Sequence, residues 1–229
     1  MDEEVAVDLE FLISPELQGR VRVGLLVLEG VLVRETDEAL AAEVDRACAS
    51  FRERYGDGRS SDVPGTADAR TLYKALGIDP TKTRPSNEAL LRRALKGETL
   101  YRINTLVDAL NLVSLREQLP FGLYDLDRVK PPVSLRKGRA GESYEGIRKG
   151  PVSIEGRPVL QDAEGPFGNP TSDSLRTSVT TATRRALVVA YAPAGYGLGR
   201  LGSVLDGTSA ALTRFCGGEI GLRRLFPDA

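Results

Sequence analysis

Histidine and tryptophan are both absent from this chain of 229 residues. Without histidine, neither a Ser-His-Asp nor a Cys-His arrangement can form, and no histidine can act as a general base or a metal ligand. The chain has only two cysteines, Cys48 and Cys216, so a cysteine cluster for structural zinc is excluded as well. Acid–base chemistry would have to use Asp, Glu, Lys, Tyr, Cys, the substrate or a bound water. We therefore expect no metal and no cofactor.

The chain also lacks an apolar run long enough to cross a bilayer. Its first ten residues, MDEEVAVDLE, are acidic and do not resemble a signal peptide. We therefore expect a cytoplasmic protein with no membrane partner. The net charge of −1 gives no overall attraction to nucleic acid, although basic residues cluster locally. The sequence leaves the oligomeric state open.

Two consecutive helices are predicted between Pro85 and Asp127. Ser86 is suited to cap the first helix, and Lys96-Gly97 ends it. The second helix shows apolar residues at three- and four-residue steps, the pattern of a helix with one buried face. These residues are Ile103, Leu106, Val107, Leu110 and Val113. Asn111 lies beside this stripe, where its amide either braces the following turn or faces a pocket.

Helix and strand patterns follow one another without a regular βαβ order, which predicts an α+β fold. Strands are predicted at Arg20–Leu28 and Ala186–Tyr191, and a hairpin at Val152–Leu160. Further helices are predicted at Asp37–Tyr55, Ala67–Leu76 and Leu201–Cys216. We expect one domain over residues 1–229, with mixed sheets packed against core helices. The G-x-G-x-x-G run at Gly197–Gly202 is interpreted as a strand-to-helix link, because too few residues follow it to complete a nucleotide fold.

The segment from Asp162 to Thr183 is dense in glycine, proline and small polar residues. One interpretation is a surface loop whose Asp and Ser side chains cap turns. The other is a polar pocket floor whose backbone amides hold a carbonyl oxygen or a carboxylate. The residues themselves do not decide between the two.

Two segments resemble a known family. The run VDALNLVSLREQLPFGLYDLD, from Val107 to Asp127, resembles the V-D-x-x-N-x-V…P…D-L-D signature of the B3/B4 tRNA-binding domain. That domain is the editing module in the beta subunit of bacterial phenylalanyl-tRNA synthetase. The run SVTTATRRALVVAYAP, from Ser178 to Pro193, is similar to the family's S-x-V-T-x-x-T segment. The similarity covers roughly residues 85–220, and residues 1–80 are expected to pack onto that part as in free-standing members.

The resemblance implies an α+β fold with a pocket between the two segments. It also implies hydrolysis of tyrosine wrongly attached to phenylalanine tRNA. Three positions depart from the family pattern. Gly122 stands where the module usually has histidine, Asp173-Ser174 where it has a Gly-Gly turn, and Val189 where it has the editing glutamate.

These features lead to a first hypothesis, a free-standing hydrolase of mischarged aminoacyl-tRNA, whose partners are charged or mischarged tRNA and the amino-acid moiety. Asp162 and Asp173 are the candidate catalytic residues. The candidate tRNA-binding residues are Arg176, Arg184 and Arg185. The candidate substrate-binding residues are Asn111, Pro120, Tyr124, Asp125, Gly165, Phe167, Gly168, Asn169, Ser174, Thr177 and Thr180.

The alternative hypothesis is a non-catalytic module that binds an amino acid or tRNA and acts as a sensor or adaptor. Hydrolysis of an unrelated small ester or amide is a third possibility, since one fold carries many functions. The sequence does not settle whether the protein is an enzyme.

Overall fold

The computed structural model describes residues 9–56, 58–147 and 150–227, and these confirm the predicted α+β class. The predicted domain of residues 1–229 includes positions outside this described part. The helices are α1 (Glu38–Tyr55), α2 (Thr66–Ala75), α3 (Ser86–Leu95), α4 (Thr105–Glu117) and α5 (Leu198–Cys216). The strands are β1 (Phe11–Ile13), β2 (Val21–Glu29), β3 (Phe121–Asp125), β4 (Val133–Lys137), β5 (Ser143–Gly146), β6 (Gly150–Ser153), β7 (Pro158–Asp162), β8 (Gly165–Gly168), β9 (Ala186–Pro193) and β10 (Glu219–Phe226).

Eight of the strands in the described residues form two four-stranded sheets. The central sheet has the order β10-β2-β9-β3, and all of its neighbours are antiparallel. The second sheet has the order β1-β4-β7-β8, in which β1 lies parallel to β4 and the other pairs are antiparallel. Strands β5 and β6 form a separate antiparallel pair.

The central sheet is covered on both faces, which explains why β2 and β9 read as continuous apolar runs. Along β2, Val23 and Leu25 point to one side, whereas Leu26 and Leu28 point to the other. The first face packs against the second sheet and α2. The other face packs against α1, α3, α4 and α5. The expected packing of sheets against core helices is therefore present, and the mixed sheet is the second one.

The predicted helices and the strands β2 and β9 are present, and the errors concern one pairing, one helix cap and several missed strands. The helix predicted at Asp37–Tyr55 begins after Asp37, whose Oδ1 accepts a hydrogen bond from the Leu40 amide at 2.8 Å. The hairpin predicted at Val152–Leu160 is wrong, because β6 pairs with β5 and β7 pairs with β4 and β8. Ser86 is the first residue of α3 and does not cap it. Strands β3, β4, β8 and β10 were not predicted.

In the described residues, no helix combines the length and the apolar character that a membrane crossing requires.

Helix α5 approaches the central sheet so closely that Gly24 of β2 should not tolerate a side chain. A Cβ added there would lie 2.9 Å from Leu205 Cδ2 and 3.0 Å from Cδ1. We expect Gly24→Ala to lower the free energy of unfolding by about 1–3 kcal/mol, measured by urea denaturation. Gly207→Ala is the matched control, since it lies in α5 with nothing within 4 Å of the added carbon. It should raise stability by about 0.5–1 kcal/mol; equal destabilisation by both variants would contradict this packing.

Candidate functional site

A cavity of about 400 Å³ lies where the two segments singled out in the sequence meet. One side is built from α3, α4 and β3, and the other from residues 169–173, which we call the polar loop. The lining residues are Ser86, Leu90, Ile103, Val107, Leu110, Asn111, Ser114, Phe121, Leu123, Ile147, Asn169, Pro170, Thr171, Ser172, Asp173, Ser178 and Val179. Asp173 is the one ionisable side chain among these described lining residues.

The helical side of the cavity follows from the spacing of residues on α4. Val107, Leu110, Asn111 and Ser114 recur at three- and four-residue steps, so they share one face of the helix and line the cavity. Asn104 caps the helix, because its Oδ1 accepts from the Val107 amide at 3.0 Å. The side-chain amide of Asn111 has no hydrogen-bond partner among the described residues. It is therefore available to a ligand.

The buried carboxylate of Asp108 holds the edge of the cavity in place where α4 begins. Asp108 Oδ1 accepts a hydrogen bond from the Ile103 amide at 3.0 Å, which holds Ile103 at the cavity edge. Burial raises the pKa of Asp108, and the bond from the Ile103 amide opposes that rise. Asp108 thus braces the rim rather than lining the cavity.

The polar loop is held by its own side chains and by three tyrosine hydroxyls. Asn169 Oδ1 accepts from the amides of Thr171 at 2.8 Å and Ser172 at 2.9 Å, which forms the turn. The hydroxyl of Tyr73, on α2, donates to the Pro170 carbonyl at 2.8 Å. The hydroxyl of Tyr144, on β5, donates to the Ser172 carbonyl.

Tyr124 supplies the third hydroxyl, which donates to Asp173 Oδ1 at 2.7 Å. Its ring is fully buried between the two sheets and meets Phe167 edge-on, with 4.9 Å between the ring centroids. Gly122 and Gly168 flank the ring, and a Cβ at either position would lie 2.3 Å from the Tyr124 oxygen. The absence of side chains at these glycines therefore makes the space that the Tyr124 hydroxyl needs to reach Asp173.

The hydroxyls around the polar loop keep their protons well above neutral pH. Burial raises the pKa of Tyr73 to about 12, and the Asp173 carboxylate contributes to the rise. Burial, followed by the negative charge of Asp173, also raises the pKa values of Tyr124, Tyr144 and Tyr191. The loop is therefore anchored by neutral hydrogen-bond donors.

The structure brings Asn111, Asn169 and Asp173 together and places the other predicted substrate-binding residues elsewhere. Tyr124 and Phe167 lie behind the cavity in the core between the sheets, and Gly168 adjoins them. Asp125 braces the segment that follows, because Thr183 Oγ1 donates to its Oδ2 at 2.7 Å. The remaining predicted residues also lie outside the cavity lining: Pro120, Gly165, Ser174, Thr177 and Thr180.

Asp162 lies outside the cavity lining, and its carboxylate is occupied in a buried ion pair. Its side chain is fully buried and contacts Arg176 Nη2 at 2.8 Å. It also accepts hydrogen bonds from the backbone amides of Lys130, Glu164 and Gly165. These contacts give Asp162 a structural role at the β7–β8 turn, and we do not retain it as a candidate catalytic residue.

The predicted tRNA-binding arginines are also engaged within the protein. Arg176 pairs with Asp162 and Glu164. Arg185 pairs with Glu29 at 2.7 Å and with Asp127 at 3.1 Å. Arg184 donates to the carbonyls of Thr181 and Thr183.

Backbone amides that were expected to hold a carbonyl oxygen are used inside the segment itself. The Gly165 amide donates to Asp162, and the Asn169 amide donates to the Ser172 carbonyl at 3.0 Å. The segment therefore shapes one wall of the cavity, but these amides do not form an oxyanion hole.

Sequence reasoning missed most of the apolar lining, including Leu90, Phe121 and Val179. A signal existed for part of it, since Phe121 and Leu123 alternate along β3 and share its cavity side. In the described ranges, no three Cys, Asp or Glu side chains are grouped so that they could hold a metal ion.

A family model described as the B3/4 domain matches residues 68–216, which include both walls of the cavity. The chain belongs to the B3/4 domain family. The resemblance described above implies an editing glutamate at the position of Val189. Here Val189 is completely buried on β9 between the sheets, away from the cavity.

A solved structure shares the fold of this B3/4 domain. It is an N-terminal fragment of the phenylalanyl-tRNA synthetase beta-subunit from Pyrococcus horikoshii, with a TM-score of 0.50 and 17% sequence identity. The alignment covers 97% of this chain and 55% of that fragment, so this chain spans about half of the fragment's length. At this identity the likeness concerns the fold alone. No curated protein matched the chain.

The raised pKa of Tyr73 predicts a loss of stability at alkaline pH. The unfolded state releases the Tyr73 proton near pH 10, whereas the folded state holds it to about pH 12. The contribution of Tyr73 to the free energy of unfolding is therefore complete below about pH 10 and falls as the pH rises above that value. Tyr73→Phe should cost about 1 kcal/mol at neutral pH through the lost hydrogen bond to Pro170. Between about pH 10 and pH 12, the free energy of unfolding should fall more steeply for the wild type than for the variant, by about 1.4 kcal/mol per pH unit.

Urea denaturation of both proteins at a series of pH values measures this difference. A gap between wild type and Tyr73→Phe that stays constant from neutral to strongly alkaline pH would contradict the assignment.

Proposed function

We propose that this protein binds the aminoacyl end of a charged tRNA in the cavity and hydrolyses its ester as a free-standing deacylase. One observation carries the proposal: apolar walls and a single carboxylate, Asp173, line the same cavity. An aminoacyl group matches this arrangement, since it carries one positive charge beside a side chain. Membership of the B3/4 domain family and the fold shared with a fragment of phenylalanyl-tRNA synthetase support tRNA as the carrier. Such a substrate implies a cytoplasmic location.

The α-ammonium group is the part of the ligand that Asp173 recognises. A charge-assisted hydrogen bond to a half-buried carboxylate contributes about 1.5–3 kcal/mol. The amino-acid side chain then lies against Val107, Leu110, Phe121 and Leu123. The cavity favours an apolar side chain, because no second charge among the described lining residues compensates an acidic or basic one.

The ester is already activated, so the protein needs to orient it rather than supply a strong nucleophile. Water attacks the ester carbonyl carbon, and the bond from that carbon to the ribose oxygen breaks. The vicinal ribose hydroxyl relays the proton from the water to the departing ribose oxygen. The products are a free amino acid and an uncharged tRNA.

Asn111 is the residue placed to stabilise the charge that develops on the carbonyl oxygen. Its side-chain amide faces the cavity and is not used by another described residue. Loss of one such donor in a catalytic site typically costs about 10²–10³ in rate. Asn111 thereby takes the role first expected of the backbone amides around Gly165 and Asn169.

Deacylation of a panel of tRNAs mischarged with apolar amino acids tests the proposal. We expect turnover above buffer for at least one member of the panel. Asp173→Asn should weaken substrate binding about tenfold or more, because it removes the negative charge that pairs with the ammonium group. Asn111→Leu should lower kcat by about a hundredfold with a smaller change in KM, since it removes a donor that acts in the transition state.

Asp206→Asn is the matched control, because Asp206 is an exposed carboxylate that pairs with Arg223 outside the cavity. It should deacylate like the wild type. Turnover no faster than buffer with every tRNA, or equal losses in Asp173→Asn and Asp206→Asn, would refute the deacylase proposal.

A non-catalytic binding module is the second candidate function. One observation favours it: Asp173 already accepts a hydrogen bond from Tyr124, and backbone amides of the polar loop are used internally. Calorimetry with free amino acids separates the two functions. Binding that depends on Asp173, in a protein that deacylates none of the tRNAs, would establish a sensor or adaptor in place of the hydrolase.

A further inference from the structure

Helix α3 and the loops beside it carry a surface groove rich in positive charge. The groove has a volume of about 560 Å³, and its described lining includes five cationic side chains and the carboxylate of Glu88. The five cations are Arg59, Arg70, Arg84, Arg92 and Lys96. A neighbouring depression shares Arg84, Arg92 and Lys96 and adds Arg93 and Tyr101. We call these two adjoining hollows the basic groove.

Most of these cations form no ion pair with another described residue. Arg70 binds the buried Glu88 at 2.7 Å, and Arg93 pairs with Glu98 at 3.0 Å. Arg84, Arg92 and Lys96 make no side-chain hydrogen bond or ion pair with any other described residue. Arg84 lies close enough to the Glu88 carboxylate to help lower its pKa. Arg92 and Lys96 are four residues apart at the end of α3, and their like charges repel each other unless an anionic ligand lies between them.

The basic groove is continuous with the cavity. Leu90 of α3 lines both of them. A second connection is made by the chain itself, because Tyr101 lines the groove and Ile103, two residues later, lines the cavity. A polyanion in the groove would therefore bring its end to the cavity that receives the aminoacyl group.

Tyr101 gives the groove an aromatic surface that is open to solvent. It is 62% exposed, and the Arg93 guanidinium lies 4.2 Å from its ring centroid. Positive charge interleaved with exposed aromatic rings is the pattern by which proteins bind single-stranded nucleic acid, with phosphates on the cations and bases stacked on the rings. An exposed ring beside these cations offers a nucleobase a stacking surface next to the phosphate contacts, so the observations favour RNA.

We propose that the basic groove binds the single-stranded 3′ end of the tRNA, with phosphates on Arg84, Arg92 and Lys96 and a base stacked on Tyr101. This inference rests on the proposed function for its choice of tRNA, but binding is measured independently of turnover. It places the RNA on α3 and not at Arg176, Arg184 and Arg185.

The test compares two triple variants of the full-length protein in tRNA binding at several salt concentrations. One variant carries Arg84→Gln, Arg92→Gln and Lys96→Gln. The matched control carries Arg46→Gln, Arg54→Gln and Lys74→Gln, which remove the same charge at exposed positions outside the cavity and the groove. The groove variant should bind uncharged tRNA at least about tenfold more weakly, and the slope of log K against log salt should fall by about 2, since each single-strand phosphate contact contributes about 0.7.

A truncated tRNA that lacks its single-stranded 3′ end identifies which part of the RNA occupies the groove. Wild type should bind the truncated tRNA about as weakly as the groove variant binds intact tRNA. Tyr101→Ala should weaken binding of intact tRNA by roughly tenfold, whereas Tyr101→Phe should not, because stacking needs only the ring.

The outcomes separate this proposal from the proposed function. Calorimetry should show that the groove variant binds a free amino acid like the wild type, which establishes an intact cavity. If wild type binds the 3′ end but deacylates nothing, the hydrolase proposal fails and the groove assignment holds. The groove assignment would be overturned if the two triple variants bound tRNA equally, or if wild type bound intact and truncated tRNA with equal affinity. It would also be overturned if wild type bound polyglutamate in preference to tRNA, a result that would indicate an acidic protein partner.

Discussion

The hydrogen bond from the Tyr124 hydroxyl to Asp173 is the contact on which the site depends. The donor, Tyr124, is fully buried in the core between the two sheets, and the acceptor, Asp173, lies in the cavity wall. A bond of this charge-assisted kind contributes about 1.5–3 kcal/mol and fixes a direction as well as a distance. Because Gly122 and Gly168 have no side chains, they leave the space that this hydroxyl occupies. Gly122 and Asp173, two of the positions at which the resemblance implies a departure from the family pattern, are therefore linked through one tyrosine. A side chain as large as histidine at position 122 would collide with the ring that holds Asp173.

The sequence predicted the helices and the central strands because their signals are local. Apolar spacing and the Asp37 cap lie within the elements that they specify. Sites depend instead on contacts between distant segments, and there residue type was not enough. Asp162 and Asp173 occur in the same polar stretch, but Arg176 and three amides enclose the first, whereas Tyr124, 49 residues away, directs the second to the cavity. The apolar stripe of α4 was ambiguous for the same reason, since a cavity wall and a packed core require the same periodicity.

The residues of the family signature have two kinds of role in the structure: some hold neighbouring segments in place, and others line the cavity. Asp108 holds Ile103 at the rim, and Asp125 holds Thr183 behind the polar loop. Of the polar residues in the V-D-x-x-N-x-V…P…D-L-D signature, Asn111 is the one that lines the cavity. A shared signature can therefore preserve the shape of a pocket while the groups that act on the ligand differ. Family membership defines the fold and the cavity of this protein more firmly than it defines the reaction.

The near-zero net charge conceals an uneven distribution of paired and unpaired cations. Arg176 and Arg185 stabilise turns through carboxylates, so their charges are already compensated where they lie. Helix α3 differs, because one rigid element presents Leu90 to the cavity and Arg92 and Lys96 to the basic groove. Under the proposed function, the distance between the charges that would bind phosphate and the wall that would contact the aminoacyl group is set by a helix of ten residues and not by a flexible loop. A ligand that engages both surfaces would reach Asp173 with little further loss of freedom, and the proposed hydrolysis of an already activated ester requires such preorganisation.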